Sequence, residues 1–187
     1  MGRFSVVCQD VFEEFQVDAG VLLKSFDPSA PHLGDEDIIC ATTGGINPTC
    51  VTTYSDWGED VDNCPNGMKE LMEIVRWETG LGFTALNITA ETIRMALGAA
   101  DVEAENGAIV PRMELKDTDF ANIWWVGDRT DGGLVAICLK NALSTSGLSL
   151  QTTKDGKGQL AVTLAGHYSI KEQHTVPMEF YVQEGEE

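Results

Sequence analysis

Gln159-Leu160-Ala161-Val162-Thr163-Leu164-Ala165 is the stretch on which the fold class turns: Leu160, Val162 and Leu164 alternate with Ala161, Thr163 and Ala165. A period of two puts the large apolar side chains on one face of a β-strand and the small ones on the other. The strand-like reach extends to Ile170. Further such runs lie upstream at residues 108–115, 122–126 and 134–141, and downstream at 178–182, all rich in β-branched and aromatic residues. Asp131-Gly132-Gly133 and Asp155-Gly156-Lys157-Gly158 fit hairpin connections between them, and Asn106-Gly107 marks a tight turn.

One helix interrupts this pattern. Thr89 suits an N-cap, Glu91 favours the first turn, Ile93, Ala96 and Leu97 form an apolar stripe, and Gly98 stops the run. A strand is predicted just before it, at 83–88. Many short strands around one helix predict a mainly β (α+β) fold. Its form would be two packed antiparallel β-sheets, sandwich or barrel-like, flanked by one α-helix. At 187 residues the chain is expected to form a single domain, 1–187, large enough to bury a sizeable core.

The first half is less regular. An apolar run at 17–24 ends in the turn cluster Asp27-Pro28-Ser29-Ala30-Pro31. Residues 37–43 are read as a strand that Gly44-Gly45 stops, and 51–54 as a brief β-branched stretch. Residues 46–67 are expected to form a long extended loop, since 55–67 are polar and turn-rich, and loops of this size inside a domain are usually functional. Residues 68–77 are ambiguous: Met68, Leu71, Met72 and Val75 fit helical spacing, whereas the stretch gives no clean strand alternation. Residues 1–16 are expected as an N-terminal arm and 183–187 as an acidic tail.

Charge is the strongest compositional fact: 30 acids against 12 bases give a formal net charge of −18. Such a surface repels phosphate, which disfavours nucleic-acid binding without excluding a role in which DNA passes close by without sticking; solubility alone is the plain reading of the charge. No apolar run approaches the roughly 20 residues of a membrane span, and no secretory signal is expected at the start. Five cysteines (Cys8, Cys40, Cys50, Cys64 and Cys138) form no C-x-x-C pair and are read as reduced, buried small hydrophobes.

Catalytic signatures do not emerge, and no enzyme and no cofactor is expected. A nucleophile elbow is missing, and His32, His167 and His174 lack the companions of a triad or a zinc site. Gly44-Gly45 and Gly132-Gly133 lack the Lys-Ser/Thr of a phosphate cradle. Asp56, Glu59, Asp60 and Asp62 form the one dense carboxylate cluster. Asp56, Asp60 and Asp62 are thereby a weak calcium candidate, out of step with the spacing of a helix-loop-helix calcium loop. A solvated or interface loop is the competing reading of the same residues. Trp124 and Trp125, adjacent in a strand, must point to opposite faces, so one of them is a subunit-interface candidate.

Taken in order, the motifs resemble the siphophage-type major tail proteins, the tail tube subunits of bacterial viruses. Asp18-Ala19-Gly20-Val21-Leu22-Leu23, Phe26-Asp27-Pro28 and Asp37-Ile38-Ile39-Cys40-Ala41-Thr42-Thr43-Gly44-Gly45-Ile46 come first. The acidic Gly58–Pro65 loop follows, then a strand and a helix that runs into Leu97-Gly98-Ala99-Ala100-Asp101. The likeness spans about residues 15–180. It implies homo-hexameric rings whose inner strands form a continuous barrel and whose extended loops stack ring on ring. Asp56, Trp57, Glu59, Asp60 and Asp62 would then belong to the ring-stacking loop. It also implies a place in the virion tail after assembly in the host cytoplasm. Implied partners are a tape-measure protein and the tail terminator and baseplate proteins, with DNA passing through the lumen unbound. A phage-derived contractile injection device would use the same subunit logic, and a small calcium-dependent binding module is the alternative of another class.

Overall fold

The computed structural model describes residues 9–185. Residues 1–8 of the expected arm (Cys8 among them) and Glu186 and Glu187 of the expected tail lie outside the described residues. Within the described part of the arm Gln9–Phe12 form a 3₁₀ turn, and Gln16 opens the first strand. Likewise Gln183 closes the last strand rather than beginning a tail.

Strands β1 (Gln16–Leu23), β2 (Thr42–Asp56) and β3 (Met72–Ala85) precede helix α1 (Ala90–Leu97). Then come β4 (Ala100–Val102), β5 (Ile109–Pro111), β6 (Ala121–Arg129), β7 (Leu134–Ser144), β8 (Ser149–Gln151), β9 (Gln159–Ala165) and β10 (Met178–Gln183). One antiparallel sheet runs β1-β6-β7-β10, and the second runs β2-β3-β9 with β8 beside β9. β4 and β5 form a separate small hairpin. The architecture is the mainly β, two-sheet arrangement with one α-helix that the alternation predicts.

β7 belongs to both sheets. It lies between β6 and β10 for most of its length, and its end, Leu143 and Ser144, pairs with β9. The strand turns from one sheet to the other at Asn141, which holds φ 47°. Asparagine tolerates this left-handed conformation better than most residues. The Asn141 backbone N–H donates to Asn122 Oδ1 (3.2 Å), and its side-chain amide donates to the His167 carbonyl (3.0 Å). His167 thus helps fasten this corner, its ring Nδ1 lying 3.2 Å from the Asn141 carbonyl oxygen.

Between the sheets Leu22, Trp125 and Leu139 of the first meet Leu81, Leu160 and Leu164 of the second. Along β9 the alternation is literal: Leu160, Val162 and Leu164 are buried while Gln159, Ala161 and Thr163 are exposed. Helix α1 carries a reciprocal cap. Thr89 Oγ1 accepts from the Thr92 N–H (3.2 Å), and Thr92 Oγ1 accepts from the Thr89 N–H (2.8 Å).

Two readings of the first half change. Gly44 and Gly45 do not stop a strand; at φ 75° and 83° they form a bulge between Thr43 and Ile46, and β2 runs on through it. The expected 46–67 loop is thus half strand, and irregular chain is confined to about residues 57–71. Residues 68–77, undecided by period, become strand from Met72 because they pair with β2 as far as Asp56. Pro48, without an N–H to donate, is accommodated because β2 is an edge strand.

Cys40, Cys50, Cys64 and Cys138 are free thiols, Cys40 and Cys138 buried. Burial pushes the Cys40 thiol up to about 11 from 9.0. Burial first, and then the Glu179 carboxylate, pushes Cys138 up to about 11 as well. Both groups are held neutral in the fold, so the unfolded chain ionises first. Their contribution to stability is intact below about pH 9 and is lost as pH rises toward 11. The urea midpoint is expected to fall across that window. At pH 8 iodoacetamide should label these two thiols roughly a hundredfold more slowly in the native protein than in urea, through the smaller thiolate fraction alone. Equal native and denatured labelling rates would contradict their burial.

Candidate assembly interface

β2 and β3 outrun the sheet that contains them. β9 covers β3 only over Gly80–Ala85, and the chain leaves β9 with the Gly166 N–H donating to the Thr79 carbonyl (3.0 Å). One further contact follows: the Trp77 N–H donates to Tyr168 Oη (3.1 Å), capping that edge of β3. Beyond it the two strands continue as a two-stranded ribbon ending in the 57–71 tip, with Gln173, His174 and Val176 lining an open groove beside Ile74, Val75 and Arg76.

This ribbon is apolar where a solvated one would be polar. Tyr54 and Ile74 sit directly opposite each other and are 56% and 51% exposed, and beside them Val75 is 60% and Trp57 67% exposed. Val51, Met68 and Met72 add to the exposed apolar surface. A two-stranded hairpin alone is marginal in water, and exposed apolar side chains gathered on one make it a candidate interaction site. Burying a side chain of this class from full exposure stabilises by about 1.5–3 kcal/mol; at 51–67% exposure about half of that is left to gain, so many must be covered together to offset an association cost of about 4–15 kcal/mol.

The tip is built, not slack. Asp56 Oδ1 accepts from the Gly58 N–H (2.8 Å) and Oδ2 from the Gly67 N–H (2.7 Å), tying the two ends of the loop together. The Trp57 N–H donates to the Leu71 carbonyl (2.9 Å), and its indole N–H donates to Glu73 Oε2 (2.6 Å). Asp60 holds φ 64° and Asn63 φ 63° to turn the chain. Asp56, Trp57, Glu59, Asp60 and Asp62 therefore all lie at the outer end of the ribbon. Among the described residues no three His, Cys, Asp or Glu side chains gather in a metal-holding arrangement. Both oxygens of Asp56 already accept backbone hydrogen bonds, which leaves the calcium reading of Asp56, Asp60 and Asp62 without geometric support.

Trp124 and Trp125 do point to opposite faces. Trp125 is buried in the core, its indole N–H donating to the Ala19 carbonyl (2.9 Å). Gly20 beside it holds φ 68°, and a Cβ there would lie 2.4 Å from the Val126 carbonyl oxygen, so only glycine allows this approach. Trp124 lies on the outer face, half-buried between Phe26 and Tyr181, each ring 5.7 Å away. Its cover comes from this chain's own 24–34 segment and β10, which sequence alone did not supply.

A second unsatisfied surface is β10. It pairs with β7 on one side only, and Phe180 and Val182 stay exposed next to Ile137 and Val135. Its six residues carry no Lys or Pro to blunt the free edge. Neither the ribbon's apolar pairs nor this edge was singled out from sequence. Their signal lies in which strands go uncovered, and that depends on long-range pairing. No helix among the described residues is long and apolar enough to cross a membrane.

No protein-family model matches the chain, and no curated protein sequence matches it. A solved structure described as "Virion of native gene transfer agent (GTA) particle" overlaps 87% of this chain and 95% of its own, with 9% identity and a TM-score of 0.45. Overlap that loose carries no argument about function, which rests on the chain's own surfaces.

Proposed function

We propose that this protein is a structural subunit of a phage-type particle that assembles with copies of itself into a tail tube, and that it is not an enzyme. The observation that carries the proposal is the β2–β3 ribbon, which projects from the sheet with apolar residues uncovered and an ordered acidic tip. A monomer gains nothing from such a projection; an assembling subunit gains a contact. In the siphophage-type scheme that the motifs resemble, six copies form a ring, free sheet edges close against neighbours, and the ribbon reaches the next ring. Closure removes the bare edge of β10, and stacking covers Tyr54, Ile74, Val75 and Trp57. Contacts that are weak singly become strong when a ring presents several at once. A net charge of −18 then suits a wall past which DNA travels without the counterion-releasing contacts that would hold it.

Negative-stain microscopy of the protein at high concentration tests this. Rings or hollow cylinders are expected; a chain that stays single at millimolar concentration defeats the proposal. A finer expectation follows for Tyr54→Ser with Ile74→Ser. Both side chains are mostly exposed, so thermal stability should move by no more than about 1 kcal/mol. Cylinder formation should nevertheless fall at least tenfold by sedimentation. Normal cylinders from that variant would remove the ribbon from the interface.

A further inference from the structure

The tip needs a seat, and the molecule has a cavity that fits one. A cavity of about 230 Å³ opens between α1, the start of β6 and the end of β7, with Met95, Ile123, Leu143 and Leu164 among its walls. That is smaller than the roughly 300–1,000 Å³ of pockets that take drug-sized ligands, and it suits one or two large side chains. The Ser144 hydroxyl on its wall is buried and, among the described residues, has no hydrogen-bond partner.

The charges at its mouth differ from those of the rest of the surface. Lys24 and Glu91 neutralise each other at 2.8 Å, and Asp119 is held by Arg112 at 2.5 Å. Arg94, exposed on α1, forms no ion pair among the described residues, although its charge is felt at Asp119. A guanidinium without a close ion pair beside an apolar hollow is the complement of a tip that carries Trp57 and Val61 exposed among Glu59, Asp60 and Asp62. Tryptophan and arginine are also the side chains that most often dominate interfaces.

Within one chain the two cannot meet. Leu164 on the cavity wall pairs with Leu81, nine residue steps along β3 from Met72 at the base of the tip. At about 3.3 Å per residue that is roughly 30 Å. Tip and cavity thus lie toward opposite ends of β3, as a head-to-tail contact requires, and such a contact repeats without limit.

We infer that the 57–71 tip of one copy seats on the α1 cavity of the next, Trp57 and Val61 entering the hollow and the tip carboxylates meeting Arg94. This rests on the assembly reading and names the receiving surface. Two complementary variants test it. Arg94→Glu keeps the tip and spoils the seat; a chain with Ser55–Glu73 replaced by Asn-Gly keeps the seat and lacks the tip. Neither should stack alone, whereas a mixture should form a tip-to-seat complex by analytical ultracentrifugation. Arg94→Gln, which removes the charge without reversing it, should weaken stacking less than the at least tenfold loss expected for Arg94→Glu. Glu59→Lys with Asp62→Lys should restore stacking to Arg94→Glu. If Arg94→Glu stacks like the natural chain, or the mixture forms no complex, the seat is elsewhere and assembly through the ribbon still stands. If the natural chain never leaves the single state, both proposals fall together.

Discussion

Replacing Ser55–Glu73 by Asn-Gly, so that Tyr54 and Ile74 close a tight hairpin, is expected to leave the domain folded and abolish assembly. Tyr54 and Ile74 are already cross-strand partners, and Asn-Gly supplies the turn that two antiparallel strands need. The removed residues include none of the buried core. The melting temperature should therefore stay within about 4 °C of the natural chain's, which for this size corresponds to roughly 1 kcal/mol. Cylinders should disappear from electron micrographs at every concentration tried. Two results count against the reading: a chain that no longer melts cooperatively makes the ribbon part of the fold, and normal cylinders make it irrelevant to assembly.

Leu139→Ala is expected to do the reverse, striking the fold and reaching assembly only through it. Leu139 is fully buried on β7, the strand that both sheets share, and pairs with Ile123 on one side and Met178 on the other. Removing a leucine side chain from such a place costs about 2–5 kcal/mol, the higher figures where neighbours cannot close the gap. At about 2–4 °C per kcal/mol the melting temperature should drop by roughly 4–20 °C. Below the new midpoint the variant should still form cylinders, because no exposed surface has changed. A loss of under about 0.5 kcal/mol in urea unfolding would mean that β7 does not tie the sheets together as described.

The two variants separate residues that hold the fold from residues that hold the assembly, and sequence pattern recorded these unequally. Gln159–Ala165 announced its own burial, since every second side chain is large and apolar, and the pleat turns that alternation directly into an inside and an outside. The helix was equally legible, because Thr89, Thr92 and Gly98 act through hydrogen bonds and dihedrals within one short stretch. The acidic tip could be located from its composition alone. Its role as the end of a projecting ribbon could not.

What the amino-acid sequence determined by itself was local or compositional: strand periodicity, the capped helix, and the net charge of −18. Tertiary structure alone decided that β2 continues through Gly44 and Gly45, that residues from Met72 onward pair with it, and that β9 stops at Gly80 and leaves Tyr54, Ile74 and Val75 uncovered. The reason is that exposure of an apolar side chain depends on which distant strand fails to reach it. Trp124 makes the same point from the other side. Its outward direction follows from being next to Trp125, whereas its cover by Phe26 and Tyr181 comes from chain some 98 and 57 residues away.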